Sequence, residues 1–375
     1  MQEIFFDNAS TTIPDDCFFE EFKKVGTEFY GNPSSLHTKG IETQRKINEI
    51  RKLITEKLNA QNGRIIFTSG GTESNNLAIF GLNNKKIVTI KNQHPSITEP
   101  LKALKDNSEV IYLSVSDGFF SYEELENAID EKTTLVILSH INNETGIIYD
   151  LEKIGNIIKS KNPKTIFHVD GVQGFGKIPI NISKSKIDSY TFSLHKVHGI
   201  KGVGGLFIRN GVNISPIIFG GLQQDKIRPG TENTVSVIAS KKIIEKAFCD
   251  TNEKFKKVTA LKKLFIDELG DIGDYVINGE IEKTSPYILN ISFANVLGEI
   301  LLNALSAKKI FVSTGSACSG KSASENLINH NFKEDRSKNS IRFSFSKDNS
   351  EDEVIRCVNV LKDEIKIIGR VMKRK

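Results

Sequence analysis

Lys196 follows a short apolar run, Ile187–Phe192, and precedes a glycine-rich turn, Gly199–Gly205. A lysine at the end of a buried strand is poorly solvated. That lowers its pKa and frees its amine for Schiff-base chemistry. The alternative is a half-buried lysine whose ammonium snorkels to water. Four other stretches carry residue types of the same interest. Ser69-Gly70-Gly71-Thr72 follows the β-rich run Ile65–Thr68. If a helix opens there, its free N–H groups and a hydroxyl make an anion cradle suited to a phosphate. The stretch matches neither the P-loop nor the dinucleotide fingerprint. His94 follows Ile87–Ile90 and precedes Pro95, where an imidazole either stacks on a planar ligand or caps a helix. Asp170 ends the run Thr165–Val169, with Gln173 beyond it. A carboxylate buried there needs a cation, and a protonated pyridine nitrogen is one candidate. Cys318 lies among small polar residues, Ser313 to Ser324, that cannot pack a core. A thiol on such a solvated loop is more reactive than a buried one.

These residues need elements to bring them together. From Arg64 onward, short β-rich runs (Ile65–Thr68, Ile87–Ile90, Val110–Leu113, Leu135–Ser139, Thr165–Val169) alternate with helical stretches. One helix opens on the capping-box pattern Ser121-x-x-Glu124. The alternation predicts an α/β fold with a mainly parallel sheet, whose ligands collect at the carboxyl ends of the strands. A long helix is expected over 36–58 and another over 234–269. Strand-like 287–293 and 341–345, with helices near 297–307 and from Glu351, then predict a smaller α+β domain. The expected division is 13–255 for the large, cofactor-binding domain. Residues 1–12 and 256–375 form the small domain, which carries the cysteine loop. The strand ends thereby gather a phosphate cradle, a face contact, a buried acid and a Schiff-base lysine. Pyridoxal 5'-phosphate uses all four.

Bulk properties agree with this and exclude other classes. The 375 residues are 38% hydrophobic and 26% charged with a formal net charge of +5, ordinary for a water-soluble globular protein. No apolar run is long enough to span a membrane, and the first residues have no signal-peptide pattern. The four cysteines (Cys17, Cys249, Cys318, Cys357) are dispersed, with no Cys-x-x-Cys pair. That speaks against a disulfide framework or zinc site and for a reducing, cytoplasmic setting. No metal, membrane or direct nucleic-acid contact is expected. The basic C-terminal residues read as a solvated end.

The chain resembles the cysteine desulfurases of the NifS/IscS type, in the class V aminotransferase group of fold-type I pyridoxal phosphate enzymes. The likeness runs through Asp7–Thr12, Gly31–His37, Thr68–Ser74, His140–Glu144, His168–Asp170, His195-Lys196, Arg228–Asn233, Gly315–Cys318 and Ile341–Ser344. It implies a fold-type I transferase that converts L-cysteine to L-alanine and carries the sulfur as a persulfide on Cys318. Lys196, Cys318 and His94 would be catalytic, with Lys196 holding the cofactor and His94 stacked on its ring. Asp170 would bind the pyridine nitrogen and Gln173 the ring hydroxyl. Gly71, Thr72, Ser193 and His195 would hold the phosphate, joined by Thr231 from the other subunit of a homodimer. Asn143, beside the cofactor, and Arg342 would orient the substrate. The sulfur would pass to an acceptor protein, an iron–sulfur scaffold or a tRNA-thiolation enzyme. Leu194 and Ile200 depart from the family, which usually has glycine and proline there. A selenocysteine lyase or an aminotransferase of the same fold is the alternative activity, and the loop thiol favours the desulfurase.

Overall fold

The computed structural model describes residues 2–104, 106–270, 272–314, 327–328, 330 and 333–372. Cys318 lies outside the described residues. In chain order the strands are β1 (Ile4–Phe5), β2 (Gly63–Thr68), β3 (Lys86–Ile90), β4 (Glu109–Leu113), β5 (Val115–Ser116), β6 (Phe119–Phe120) and β7 (Thr133–Ser139). They continue with β8 (Ile166–Asp170), β9 (Ser189–Ser193), β10 (Gly204–Arg209), β11 (Tyr275–Ile277), β12 (Ile288–Phe293), β13 (Ile310–Phe311) and β14 (Ser340–Ser344).

The central sheet has seven strands in the order β2-β10-β9-β8-β7-β3-β4. All neighbours pair in parallel except β10, which is antiparallel to both β2 and β9. Its runs are apolar on both faces because both are covered, with the period of two sorting side chains to opposite sides. Ile65, Phe67, Val136 and Leu138 join one core, while Ile66, Leu135 and Ile137 pack on the other face. Ile47, Ile50 and Ile54 of the helix Thr38–Lys57 lie on the first face at helical spacing. The register aligns the chemistry. Thr68 and Ser193 both stand opposite Gly204, and Asp170 lies between Ser139 and Thr191.

A second core surrounds the antiparallel sheet β11-β12-β14. Phe265 sits at its centre, 4.6 Å from Phe343, 5.9 Å from Phe345 and 6.5 Å from Phe6 between ring centroids. Phe6 arrives with β1, which pairs in parallel with β13. The N-terminus is thus packed among residues from the far end of the chain.

Three expectations are corrected. The helix over 234–269 is three helices, Thr234–Ala239, Lys241–Phe248 and Thr251–Leu269. Ser240 turns its hydroxyl back onto the Ser236 carbonyl at the first break. At the second, Cys249 is extended and Asp250 is left-handed with φ 47°, a conformation that Asp tolerates. The strand before Lys196 starts at Ser189 rather than Ile187. Only half of the capping box forms. Ser121 accepts from the Glu124 N–H, but the Glu124 carboxylate accepts from the N–H and hydroxyl of Ser114.

Truncating Phe265 would leave a void among three rings. Phe265→Ala is expected to cost about 3–5 kcal/mol, read as a lowered urea midpoint. A loss below about 1 kcal/mol would show that the second core collapses around the gap.

Candidate active site

Lys196 ends the short 3-10 turn Leu194–Lys196 that caps β9. Its ammonium donates to the carbonyls of Ala9 at 2.7 Å and Ser10 at 2.5 Å. The N-terminal segment also ties down the rest of the turn. The Thr12 N–H and hydroxyl both donate to the His195 carbonyl, and the His198 N–H donates to the Thr12 hydroxyl. His195 Nδ1 lies 3.2 Å from the Thr11 hydroxyl. The departure at Leu194 points away from this chemistry, since its side chain is buried in the large core. Its carbonyl accepts from the Val197 and Gly199 N–H groups.

The same N-terminal segment reaches Arg342 on β14. Arg342 Nη2 donates to Asp7 at 3.0 Å and to the Ser10 hydroxyl at 2.7 Å, and Nη1 donates to the Asn143 carbonyl at 2.8 Å. Its Nε is buried without a partner among the described residues. Ser313, just before the cysteine stretch, exchanges backbone hydrogen bonds with Arg342. Asn143 therefore touches the arginine through its backbone. The neighbouring Asn142 is the one that holds the loop, its side-chain oxygen accepting from the Glu144 and Thr145 N–H groups and its amide donating to the Asn92 carbonyl.

Asp170 is 7% exposed and firmly oriented. Oδ1 accepts from the Val172 N–H at 3.0 Å, and Oδ2 accepts from Asn75 Nδ2 at 2.9 Å. Asn75 also donates to the Ser96 hydroxyl. Its oxygen must then face His168 Nε2, 3.2 Å away, so that nitrogen carries the proton and Nδ1 accepts from the Ser189 hydroxyl. At the other end, the Ser96 N–H donates to His94 Nδ1, which puts the proton of neutral His94 on Nε2. One chain of hydrogen bonds thus runs from Ser189 through His168 and Asn75 to Asp170, with a branch to His94.

The cradle forms where β2 meets the helix Gly71–Phe80, whose N-cap Gly70 has φ 155° and no side-chain cap. A Cβ on Gly71 would stand 2.7 Å from Val172 Cγ2, and one on Gly204 would stand 2.6 Å from the Gly70 Cα. Only bare backbone fits here. The Ser193 hydroxyl lies beside Gly70, and Thr72 is exposed at the helix start. Glu73 in this first turn is held by Arg228, 2.8 Å away, and by the Ser69 N–H, which keep its carboxyl below the usual range despite its burial. Thr231, three residues beyond Arg228, is exposed.

Burial sets the charges of the imidazoles. It pushes His94 down, with Lys196 and Arg342 reinforcing and Asp170 opposing. His195 falls to about 4, through burial first and then Lys196, Lys201 and Lys177. Of the sequence-predicted residues, Gly71, Thr72, His94, Asn143, Asp170, Gln173, Ser193, His195 and Lys196 end or follow strands of the central sheet, Arg342 reaches them from the middle of β14, Thr231 is exposed, and Cys318 lies outside the described residues. Asn75, Ser96, Ser189, Asp7 and Lys177 were not singled out as site residues. Asn75 lies in the Gly-Gly-Thr-Glu-Ser-Asn motif and Asp7 in the first polar stretch, so both had a local signal.

The chain matches the family described as aminotransferase class-V over residues 4–356. It is 39% identical over 330 residues to the cysteine desulfurase IscS of Dictyoglomus turgidum, covering 86% of this chain and 83% of that one. It is 35% identical over 378 residues to the putative cysteine desulfurase IscS 1 of Bacillus subtilis, covering 98% and 99%. A solved structure named NifS-like protein superposes with a TM-score of 0.90 at 33% identity, covering 98% of this chain and all of that one.

The buried rings also predict the acid response. Burial holds His140, His168 and His330 at about 3, against 6.5 when free. Below pH 6.5 the unfolded chain takes up protons at these rings that the folded chain refuses. Stability therefore falls with pH down to about 3, each ring adding a slope of up to about 1.4 kcal/mol per pH unit. The urea midpoint is expected to be lower at pH 5 than at pH 7, with a shallower fall in His140→Gln. An equal midpoint at both values would count against neutral buried rings.

Proposed function

This chain belongs to the class-V aminotransferase family and is a pyridoxal-phosphate-dependent cysteine desulfurase, and we propose that the cleft around Lys196 is where its chemistry runs. The observation that carries this reading is the linkage of Lys196 to Arg342 through a single residue. The Ser10 carbonyl accepts from the Lys196 ammonium while the Ser10 hydroxyl accepts from Arg342. An amine-bearing group and a carboxylate-binding group are thereby held by one and the same residue.

The residues present fit the cofactor. The bare glycines Gly70 and Gly71 at the start of the helix Gly71–Phe80, with Thr72, Ser193 and His195, suit its phosphate. Asp170, held by Asn75 and Val172, suits the pyridine nitrogen. His94 suits the ring face and Gln173 the ring oxygen. When bound, the cofactor supplies an electron sink that makes the Cα proton labile and weakens the Cβ–Sγ bond. The buried Arg342 Nε completes its fork on the substrate carboxylate, with Asn143 beside it. The freed Lys196 amine takes the Cα proton as general base. The Cys318 thiolate attacks the substrate sulfur. The new S–S bond replaces Cβ–Sγ, C–H replaces C–S, and L-alanine leaves a persulfide behind.

The other cysteines are poorly suited to that attack. Cys357 is fully buried, which pushes its thiol far up. Burial and then Asp15 raise Cys17, and the hydrogen bond to Asp250 raises Cys249. The exposed apolar residues Ile218, Phe219 and Leu222, shortly before Thr231, support a homodimer in which Thr231 completes the partner's phosphate site. Residues 1–12 and 256–375 act as the small domain and 13–255 as the large one. The persulfide sulfur goes to an acceptor protein, an iron–sulfur scaffold or a tRNA-thiolation enzyme. Among the described residues no helix is long and apolar enough to cross a membrane, and the cysteine usage supports a cytoplasmic enzyme.

Borohydride reduction of the purified yellow protein is expected to fix the pyridoxyl group on Lys196 in peptide maps; its recovery on Lys201 would overturn the assignment. Cys318→Ala is expected to bind cofactor and cysteine yet form almost no alanine or persulfide, while Cys17→Ala, Cys249→Ala and Cys357→Ala stay active. Normal turnover by Cys318→Ala would point to another nucleophile.

A further inference from the structure

Lys177 is 7% exposed, and no carboxylate accepts from it among the described residues. Its ammonium donates to Gln173 Oε1 at 3.2 Å and lies 5.7 Å from the centre of the Tyr287 ring. The charges acting on it are Lys196 and Arg342, both of its own sign, and after burial itself they help to lower it to about 7. The cavity beside it is also lined by Lys196, His198, Lys246 and Asp15, of which Lys246 and Asp15 pair with each other. An ammonium kept in such a place costs stability unless it does something specific.

Its contact settles the orientation of Gln173. A protonated lysine only donates, so the face of the amide toward the Lys177 ammonium is the oxygen. On the other side, Nε2 donates to the Ala9 carbonyl at 2.8 Å, and a carbonyl only accepts. Both neighbours therefore require the same flip. The Ala9 carbonyl also accepts from Lys196 at 2.7 Å, so the Gln173 NH2 stands beside the Lys196 amine with a second N–H to offer.

We propose that Lys177 is a positioning residue that locks the Gln173 amide with its NH2 toward the cleft, so that Gln173 can only donate to the cofactor's ring oxygen. The inference rests on the reading of the cleft as the cofactor site. A donor on the ring oxygen draws electron density from it and lowers the proton affinity of the adjoining Schiff-base nitrogen. With Lys177 gone, only the Ala9 carbonyl, which the Lys196 ammonium also uses, holds the amide in this flip, and that effect is weakened.

The test is a pH titration of the visible absorbance of purified holoprotein, with cofactor content measured after alkaline release. Gln173→Ala and Lys177→Met are each expected to raise the midpoint by about one pH unit, the scale of one charge-assisted hydrogen bond. Lys177→Arg, still charged and donor-only, should remain near wild type. The double variant Lys177→Met with Gln173→Ala should match the single variants, because Lys177 acts through Gln173. Additive shifts would mean that Lys177 acts by charge alone, and no shift in Lys177→Met would remove its role; either overturns the proposal. A wild-type midpoint in Gln173→Ala would instead remove Gln173 from the ring, and the proposal with it. Gln173→Glu keeps the Lys177 contact but lacks the donor. If Lys177→Met fails to accumulate, this variant must show the raised midpoint, and an unchanged value overturns the proposal.

Discussion

The cleft depends on residues 7–12, a polar segment that is hydrogen-bonded on both sides at once. Its carbonyls receive the Lys196 ammonium, its Ser10 hydroxyl and Asp7 carboxylate receive Arg342, and Thr12 closes the turn after β9. Asn8 and Ala9 donate through their backbones to Ser344. Each such bond contributes only about 1 kcal/mol net. Together they fix Lys196 and Arg342 relative to one another.

Around this segment the polar groups divide into two kinds. One kind is satisfied and unambiguous, as in the chain from Ser189 to Asp170, which gives Asp170 one orientation. The other kind is buried with no partner among the described residues, as are Arg342 Nε, Thr191 Oγ1 and Gln93 Nε2. The loop after β8 obeys a steric version of the same rule. A Cβ on Gly171 would stand 1.8 Å from Tyr190 Cζ, and one on Gly174 would stand 2.2 Å from His140 Nδ1. Two glycines let the chain pass over Tyr190 and His140 while Asp170 and Gln173 keep facing the cleft.

Much of this was legible in the sequence. Strands buried on both faces announce themselves as short apolar runs, and in a parallel sheet the residues after them must converge. That places Gly71, His94, Asp170 and Lys196 together without coordinates. What could not be read has physical reasons. β10 is glycine-led and antiparallel, so neither its composition nor the βα alternation reveals it. The breaks at Ser240 and Asp250 lie within a sustained helical pattern, and only backbone geometry separates the three helices. Asn75 and Lys177 are polar residues whose importance comes from what packs against them. Sequence spacing does not encode that.

The pairing of the first residues with β14 also orders events in time. The Ala9 N–H and the Ser344 hydroxyl it donates to are 335 positions apart, so the ribosome makes one partner long before the other. The central sheet, built from strands between Gly63 and Arg209, can collapse while the chain is still being extended. The cleft cannot, because the segment whose carbonyls receive the Lys196 ammonium is itself anchored by β14. A nascent chain therefore carries its sheet before it carries its cleft, and Lys196 meets its settled surroundings only after β14 has been made.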